Sequence, residues 1–401
     1  MKPRLLFVSP RFLFPMDQGG KIRTGNILRN LKGGRFDISL VSPAPPDAGR
    51  FQADVAQACD RFESWPEALP SQLKRTLSLI GSLPVAVASD VSAAGRAVVD
   101  QALAQKPDMV VVDFPHADVL VPQTLPCPSV MFTHNVEAES FERHAIQTKG
   151  LMQRIWRMQS RKMDRFEGNV LRRHDSVIAV SDRDRDVLAK RYGLSSLEVI
   201  DTGVDLDFFA RQPVAALPDP KGGRLIFTAT MSWPANVDGI HFLLDQVFPA
   251  LLAARPNLST TIVGRNPPAS LSDKIRSRGL PVTLTGFVDD IRPYVAEADV
   301  YVIPLQVGSG TRIKAFEAMA MGRPVVSTTI GVEGLDVTDQ EHFLRSDDGP
   351  AFAAAILRLL DDDALRDRLA QNARALIEER FSWARVAEQF EAICLRAMNT
   401  A

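Results

Sequence analysis

The segment Gly308–Ser327, with the sequence GSGTRIKAFEAMAMGRPVVS, contains residue types that suit the binding of an anion. Its pattern predicts a glycine-bearing loop, a helix from about Thr311 to Met321 that stops at Gly322, and a strand after Pro324. Loops of this kind expose backbone N–H groups at the start of a helix, where a negative charge is favoured.

The first turn of that predicted helix carries two cations, Arg312 and Lys314. The positive end of the helix macrodipole disfavours cations at this place and favours acids. A bound phosphate would offset the repulsion, because the exposed N–H groups, the dipole and both side chains would then act on the same anion. The segment therefore predicts a phosphate site.

Glu317 follows one helical turn later, where its carboxylate could accept hydrogen bonds from hydroxyls of a sugar next to that phosphate. An interpretation without a ligand stays open. Lys314 and Glu317 could form a surface pair worth about 0.2–0.5 kcal/mol, while Gly308 and Gly310 only shape a turn.

A similar arrangement occurs near the N-terminus, where Gly19 and Gly20 stand between the first predicted strand and the first predicted helix. Glycines there would present backbone N–H groups to a ligand. Lys21 and Arg23 follow at once, which repeats the pattern of cations in a first helical turn. The alternative is a tight strand-to-helix turn that binds nothing.

Two histidines follow predicted strands. His134 ends the strand SVMFTH, and His116 stands in DFPHAD. Both would lie at the carboxyl edge of a parallel sheet, which is where such sheets bind ligands. A single histidine is also a common structural residue, so spacing alone leaves its role open.

The elements that must position these residues form an α/β pattern, in which short apolar runs alternate with longer amphipathic segments. The 401 residues exceed one ordinary core and predict two domains. With 47 basic and 48 acidic side chains, the composition excludes a disordered or nucleic-acid-coating chain. The fold expected is two Rossmann-like, doubly wound parallel-sheet domains that face each other across a cleft. The predicted strands are LLFVS, DISLVS, DMVVVD, SVMFTH, SVIAVS and LEVI in the first half, and RLIFTAT, LSTTIVG, VTLTGF, DVYVIP and RPVVS in the second.

The domain limits follow from composition. Residues 1–203 are predicted to form the first domain and residues 224–381 the second. Residues 204–223, rich in Pro, Gly and Asp, are predicted to link them. A C-terminal helix at about 382–401 could pack back on the first domain.

Several segments of the sequence together resemble a known family. The segment GTRIKAFEAMAMGRPVVSTTIGVEGL is similar to the nucleotide-sugar-binding segment of glycosyltransferase family 4, whose members are retaining enzymes of the GT-B fold. PMDQGGKIRTGNILRNL resembles that family's glycine loop and first helix, and MFTHNVE resembles its histidine segment. The remaining similar segments, in the family's order, are VIAVSDRDRDVLAKRYG, VIDTGVDLDFF, GFVDDIRPYVAEADVYVIPL and RFSWARVAEQFEAI.

The resemblance covers almost the whole chain and implies a reaction. A hexosyltransferase of this kind would move a sugar from a nucleotide diphosphate sugar to an acceptor hydroxyl, with retention, in glycan, polysaccharide or glycoconjugate biosynthesis. The first domain would bind the acceptor and the second the nucleotide sugar. The implied donor-binding residues are Gly20, Arg265, Ser309, Gly310, Thr311 and Glu317. The implied acceptor-binding residues are Gly19, Asn135 and Glu137, and the implied catalytic residues are His134, Arg312 and Lys314.

One departure from the family pattern bears on these roles. The usual donor motif has two glutamates eight positions apart, and Ser309 stands where the first would be, with Glu317 as the second. The Arg and Lys that many members carry after the first strand of the second domain are also absent from TATMSWPANVDG. Arg312 and Lys314, with Arg265 as a third candidate, are expected to supply that charge. The chain is similar to a branch with GxGTRxK in place of the first Glu.

No cofactor is expected beyond the nucleotide diphosphate sugar, which is a co-substrate, and no metal ion. Asp205 and Asp207 form an Asp-x-Asp pair like those that bind metals in another transferase fold. Their position in the predicted linker favours turn and capping roles instead.

The apolar run within the first ten residues, MKPRLLFVSP, is too short for a signal peptide. No window approaches the roughly 18–20 apolar residues of a membrane-spanning helix, so the chain is not expected to span a membrane. The three cysteines, Cys59, Cys127 and Cys394, form neither a disulfide framework nor a metal pattern. The protein is expected in the cytoplasm, with peripheral contact at the inner face of the membrane left open.

That contact is suggested by the segment 141–173, which has nine Lys or Arg against three acids. It carries an apolar stripe at roughly helical spacing: Leu151, Met152, Ile155, Trp156, Met163 and Phe166. Such a helix can lie on an anionic membrane, or its stripe can pack on the first domain. The partners expected are a nucleotide-sugar donor and a glycan, lipid-linked or small-molecule acceptor, without nucleic acid.

Two rival functions remain. A GT-B-type epimerase acting on a nucleotide sugar would share the phosphate site and could use Glu137 and Glu139 as acid and base. A catalytically silent nucleotide-sugar or glycan-binding protein would explain why Ser309 replaces a donor contact.

Overall fold

The computed structural model of the protein describes residues 2–67, 78–211, 219, 222–307 and 313–400. The chain divides into two compact units. The first unit comprises residues 1–203 and 383–401, and the second comprises residues 204–382. The division after Gly203 falls where the composition of the sequence placed it.

The first unit is built on a parallel sheet of seven strands in the order β3-β2-β1-β4-β5-β6-β7. Its central strands are nearly continuous apolar runs because helices cover both faces. The strands are β1 (Arg4–Val8), β2 (Asp37–Ala44), β3 (Arg61–Pro66), β4 (Met109–Asp113), β5 (Ser129–Phe132), β6 (Ser176–Ala179) and β7 (Leu197–Val199). Strand β3 was not predicted, because its residues RFESWP form an edge strand without an apolar run.

Among the described residues, seven α-helices of this unit precede the second unit along the chain. They are α1 (Gly19–Leu31), α2 (Gln52–Ala58), α3 (Val85–Asp90), α4 (Ala93–Ala104), α5 (Glu137–Gln147), α6 (Gly150–Leu171) and α7 (Asp182–Tyr192). A short 3-10 helix, Pro115–Leu120, follows β4 directly. Because α1 follows β1 and α5 follows β5, both helices begin beside the carboxyl edge of the sheet.

The second unit has a parallel sheet of six strands in the order β10-β9-β8-β11-β12-β13. The strands are β8 (Gly222–Thr228), β9 (Asn257–Val263), β10 (Val282–Gly286), β11 (Val300–Ile303), β12 (Val325–Ser327) and β13 (Leu344–Arg345). The two-residue β13 was not predicted, because it is too short to show a periodicity. The predicted strand after Pro324 is confirmed as β12.

The helices of the second unit are α8 (Pro234–Phe242), α9 (Phe248–Ala254), α10 (Ala269–Ser277), α11 (Arg292–Glu297), α12 (Ile313–Ala320), α13 (Gly349–Asp361) and α14 (Asp363–Arg380). The predicted glycine stop after α12 is confirmed, since Gly322 has a left-handed φ of 70°.

A π-helical turn, Leu243–Val247, joins α8 and α9 into one segment. By length and composition this 21-residue segment could cross a membrane, which corrects the expectation that no such window exists. Its apolar residues Leu243, Leu244, Val247 and Leu251 are buried in the core of the second unit. The segment therefore has the packing of a core helix.

The last helix, α15 (Trp383–Thr400), belongs to the first unit. Phe390 of α15 packs against Phe7 of β1 and Phe132 of β5, with ring centroids 6.4 and 5.4 Å apart. The core of the first unit thus contains residues from both ends of the chain.

The predicted linker, 204–223, is a linker only in part. Residues Leu206 and Phe209 pack on the core of the second unit, and the guanidinium of Arg292 lies 3.8 Å from the ring centroid of Phe208. The start of the segment rich in Pro, Gly and Asp is therefore irregular in structure but packed against the second unit. Residues 212–218, 220 and 221 lie outside the described residues.

Candidate functional site

In the second unit the carboxyl ends of β8 and β11 lie beside the start of α12. The Lys314 ammonium donates to Oδ1 of Asn236 at 3.0 Å and lies 4.7 Å from the ring centroid of Phe227. Asn236 in turn donates from Nδ2 to the carbonyl of Thr230 at 2.8 Å, which fixes the orientation of its amide. The cation is therefore held at the carboxyl end of β8.

Glu317 follows Lys314 by three residues on α12 and is partly exposed. Within the described ranges its carboxyl accepts no hydrogen bond. Loss of hydration raises the pKa of Glu317 to about 7, although the nearby Lys314 charge lowers it. A carboxyl group that accepts no hydrogen bond from the described part of the chain thus lies one helical turn from an anchored cation.

Four predicted site residues, Ser309, Gly310, Thr311 and Arg312, lie outside the described residues, as does Gly308. Their roles on the donor stay predictions.

Arg265 follows β9 and is exposed, with its guanidinium 5.4 Å from the ring centroid of Phe287 after β10. Its backbone carbonyl accepts from the N–H of Met231 at 3.1 Å. The neighbouring Gly264 allows this approach, since a Cβ at that position would lie 1.6 Å from the carbonyl oxygen of Ala229. The ends of β8, β9 and β10 are thereby joined, and the donor role of Arg265 stays a prediction.

In the first unit Gly19 and Gly20 are the first two residues of α1 rather than a loop before it. The first intrahelical bond runs from the N–H of Ile22 to the carbonyl of Gln18. In the part of the chain that the structure describes, the N–H groups of Gly19, Gly20 and Lys21 have no hydrogen-bond acceptor. Such a helix start can bind an anion or a hydroxyl oxygen.

A buried carboxylate organises the carboxyl edge of this sheet. Asp113, the last residue of β4, is fully buried. It accepts from the hydroxyl of Ser9 at 2.9 Å and from that of Thr24 at 3.1 Å, and it lies 2.7 Å from Nε2 of His134. Because a buried carboxylate needs several donors, these contacts hold the ends of β1, α1 and β5 together.

Arg23 of α1 completes the network from the other side of the histidine. Its guanidinium contacts Nδ1 of His134 at 3.0 Å and the hydroxyl of Thr202 at 2.6 Å. Burial lowers the pKa of Arg23 to about 10, against the raising effect of Asp184 and Asp113. The side chain predicted as a cation in the first turn of α1 is therefore directed into the unit.

These contacts determine the tautomer of His134. A guanidinium only donates, so Nδ1 must accept, and Nε2 must carry the proton that it donates to Asp113. Desolvation lowers the pKa of His134, which favours this neutral form. His134 lies at the carboxyl end of β5 as predicted. Both of its nitrogens are engaged inside the unit, however, so a direct bond from it to a transferred sugar would first require one of these contacts to break.

Phe114 packs over this histidine, with ring centroids 3.9 Å apart. Its backbone φ is 64°, a value that a bulky residue rarely adopts and that surrounding packing must hold in place. Gly20 is the reason that the ring fits, because a Cβ there would lie 2.4 Å from Cζ of Phe114. This glycine is therefore required by packing, whatever its N–H group binds.

The predicted acceptor residues lie beside the same edge. Asn135 is exposed, and Glu137 is the first residue of α5. Oε2 of Glu137 lies 3.9 Å from Nε2 of His116, whose Nδ1 lies 3.3 Å from Asp90. The structure thus brings Asn135, Glu137 and His116 to one edge. The other acid considered, Glu139, forms an ion pair with Arg183 at 2.8 Å.

Sequence reasoning missed Asp113 and the inward direction of Arg23. Asp113 ends the strand DMVVVD and could have been noticed as an acid closing an apolar run. Its partners are 21 to 104 residues away, at His134, Thr24 and Ser9, so no local spacing relates them.

Asp205, the first acid of the Asp205-x-Asp207 pair, shapes a turn with its side chain. Oδ1 of Asp205 accepts from the N–H groups of Asp207 and Phe208 at 3.1 and 2.9 Å. This is the capping role that the sequence favoured over a metal-binding one.

The architecture matches solved structures over the whole chain. HepE of Anabaena, solved in complex with UDP, has a TM-score of 0.67 and 19% identity and covers 98% of this chain and 99% of its own. Sucrose-phosphate synthase from Thermosynechococcus elongatus has a TM-score of 0.70 and 18% identity, with 100% of both chains covered. These likenesses define the fold as GT-B, which confirms the two Rossmann-like domains.

Comparison of the sequence then gives the family. A model described as Glycosyltransferase Family 4 matches residues 18–208, and one described as Glycosyl transferases group 1 matches residues 222–362. The chain belongs to glycosyltransferase family 4. The phosphatidyl-myo-inositol mannosyltransferase of Mycobacterium leprae (strain TN) is 31% identical over 232 residues, or 56% of this chain and 60% of that protein. The matched region thus spans three fifths of that relative.

Proposed function

We propose that the protein is a glycosyltransferase that moves a sugar from a nucleotide diphosphate sugar to an acceptor hydroxyl. The observation that carries this proposal is the pair on α12, where the anchored ammonium of Lys314 and the carboxyl of Glu317, which accepts no hydrogen bond from the described residues, lie one turn apart. A cation at a helix start suits a diphosphate, and an acid one turn on suits ribose hydroxyls. Membership of family 4 supports the same reaction.

The step that needs help is departure of the nucleotide diphosphate, on which negative charge develops as the glycosidic bond breaks. Lys314 is positioned before reaction begins, because Asn236 holds it. A preorganised cation stabilises developing charge without the cost of rearrangement. Arg312 would add a second charge. We propose retention of configuration through attack on the face from which the diphosphate leaves.

The first unit would bind the acceptor. The N–H groups of Gly19, Gly20 and Lys21 at the start of α1 offer donors to an oxygen, while Asn135 and Glu137 offer side-chain contacts at the same sheet edge. We assign His134 a positioning role, because its two nitrogens hold Arg23 and Asp113 in place. The proposed reaction uses the nucleotide sugar as co-substrate and needs no further cofactor.

We place the protein in the cytoplasm and, through α5 and α6, at the inner face of the membrane. We call this region the basic apolar surface. It comprises the exposed apolar side chains Ile146, Leu151, Met152 and Met158 and the cations Arg154, Arg157, Arg161, Lys162 and Arg165. Of the rest of the predicted stripe, Met163 is fully buried and Phe166 packs against the core of the first unit. Each cation near an anionic surface would contribute about 1 kcal/mol.

Vesicle co-sedimentation tests this membrane contact. We expect binding to phosphatidylglycerol vesicles, weaker binding to phosphatidylcholine vesicles, and loss of binding in Arg157→Glu/Arg161→Glu. The matched control is Arg276→Glu/Arg278→Glu, a pair on or just after α10 in the second unit. Equal binding by both double variants would contradict the assignment.

Thermal unfolding with a panel of nucleotide diphosphates and nucleotide sugars tests the function. A ligand that binds the native state raises the unfolding temperature. We expect a selective rise that Lys314→Ala abolishes and that Lys274→Ala, a control lysine paired with Asp245, retains. Product analysis then separates the rivals, since transfer requires an acceptor, epimerisation does not, and a binding protein yields no product. A panel without any stabilising ligand would contradict the proposal.

A further inference from the structure

A cavity of about 690 Å³ lies within the first unit, outside the network around His134. It is bordered by the carboxyl ends of β1, β2 and β3 and by α3 and α6. The lining is mostly apolar and includes three aromatic rings, and its main side chains are Trp65, Val85, Leu120, Phe141, Ile155 and Trp156. A volume and a lining of this kind are typical of small-molecule sites.

In the described part of this lining, one buried side-chain donor has no hydrogen-bond partner. Gln159 of α6 is 3% exposed, and its Oε1 accepts from the backbone N–H of Val85 at 2.8 Å. Since that N–H can only donate, the amide orientation is fixed, and Nε2 is the group left over. This Nε2 is buried without a hydrogen-bond partner in the described residues. A buried donor of this kind costs free energy unless a ligand supplies an oxygen.

The polar side of the cavity leads to the predicted acceptor residues. Arg11 and Asp90, which both line it, form an ion pair at 2.8 Å. Asp90 also lies 3.3 Å from Nδ1 of His116, whose Nε2 lies 3.9 Å from Glu137. A ligand whose polar end is at this sheet edge could therefore extend its apolar part into the cavity.

The other side of the cavity adjoins the basic apolar surface. Met152 lines the cavity and is also 50% exposed on that surface. Leu79, another lining residue, accepts through its carbonyl from the ammonium of Lys162 at 2.7 Å. The apolar lining is thus continuous with side chains that we assign to contact with an anionic membrane.

We propose that the cavity binds the hydrocarbon chain of a lipid-linked acceptor, with Nε2 of Gln159 donating to an oxygen near the polar end of that chain. That the lipid serves as the acceptor rests on the proposed function. The binding of a hydrocarbon chain in the cavity does not depend on it. Such a ligand accounts together for the apolar lining, the amide donor without a partner among the described residues, and the continuity with the basic apolar surface.

The test uses the full chain and a monomeric probe, dihexanoylphosphatidylglycerol below its micelle concentration. Binding is followed by calorimetry and by the fluorescence of Trp65 and Trp156. Ala86→Phe fills the cavity and is expected to weaken binding about tenfold or more, by excluding methylene groups. Its control is Ala97→Phe, at an exposed position of α4.

A second variant tests the amide without removing volume. Gln159→Glu keeps an acceptor for the N–H of Val85 but replaces the donor, so we expect binding about two- to tenfold weaker. Gln153→Glu, the same change on α6 outside the cavity lining, should bind as the wild type does. Far-ultraviolet circular dichroism checks that each variant is folded.

Three results would overturn the proposal. These are equal binding of deacylated glycerophosphoglycerol, retention of full affinity in Ala86→Phe, and preferential binding of phenyl glucoside, which would make the cavity an aromatic-ring site. Failure of the proposed function is distinguishable, because nucleotide sugars would then not stabilise the protein even though the lipid probe bound normally.

Discussion

The guanidinium of Arg23 and the imidazole of His134 are in contact at 3.0 Å, although 111 residues separate them in the chain. The contact sets the histidine as the neutral tautomer that donates from Nε2 to Asp113. Both residues are buried, at 4% exposure each. The pair therefore joins the first turns of α1 to the end of β5 by a hydrogen bond that depends on the protonation state of His134.

This contact predicts a pH dependence of stability. The folded-state pKa of His134 lies below its ordinary value of 6.5, mainly through desolvation, so the unfolded chain binds the proton more readily. The stabilising contribution is then complete above about pH 6.5 and is lost as the pH falls below it. We expect His134→Gln, which can accept from Arg23 and donate to Asp113 without titrating, to flatten this part of the profile.

Urea unfolding at pH 5.5 and pH 7.5 measures the effect. The control is His144→Gln, because His144 is exposed on α5 in the same unit. If both variants kept the wild-type slope, the buried histidine would not be the group that titrates.

The adjacent glycines give a second prediction. Gly20→Ala would place a Cβ 2.4 Å from Cζ of Phe114, whereas a Cβ on Gly19 meets nothing within 4 Å. We expect Gly20→Ala to lower the free energy of unfolding by about 1–3 kcal/mol through overpacking. Gly19→Ala should leave it unchanged or raise it by about 0.4–1 kcal/mol, because alanine restricts the unfolded chain. Equal effects in urea unfolding would show that the Phe114 ring can move away freely.

The sequence predicted those features that are local. Apolar runs located the central strands of both sheets, and Gly322 marked the end of α12, because burial and φ at these positions restrict residue type directly. The edge strands β3 and β13 carry no such restriction and were missed. The anchoring of Lys314 by Asn236, 78 residues earlier, was also not predictable, since it depends on how β8 and α12 pack.

That anchoring gives a third prediction. Asn236 accepts from Lys314 and donates to Thr230, so Asn236→Ser should keep the lysine charge but remove the contact that orients it. We expect the affinity for a nucleotide diphosphate to fall in Asn236→Ser, and to fall further in Lys314→Ala. The affinity for the free nucleoside should change little in either variant. Calorimetric titration of both ligands checks this, and equal losses for nucleoside and diphosphate would argue against a phosphate contact.

The raised pKa of Glu317 gives a fourth prediction. At about 7, it leaves the carboxyl half protonated near neutral pH. Only the carboxylate offers all its oxygens as acceptors to ribose hydroxyls, so binding should favour the ionised form. We expect the affinity for a nucleotide sugar to rise with pH up to about 7 and then level off. Below about pH 7 the affinity should fall by at most about tenfold per pH unit.

The choice of ligand and variant isolates this carboxyl group. A nucleotide sugar is preferred over a nucleotide diphosphate, because its diphosphate is esterified at both ends and has no proton to lose near pH 7. Glu317→Gln cannot ionise, so it should bind more weakly than the wild type at pH 8 and show no rise between pH 6 and pH 8. A rise of the same size in both proteins would assign the titration to another group and would remove Glu317 from contact with the ribose.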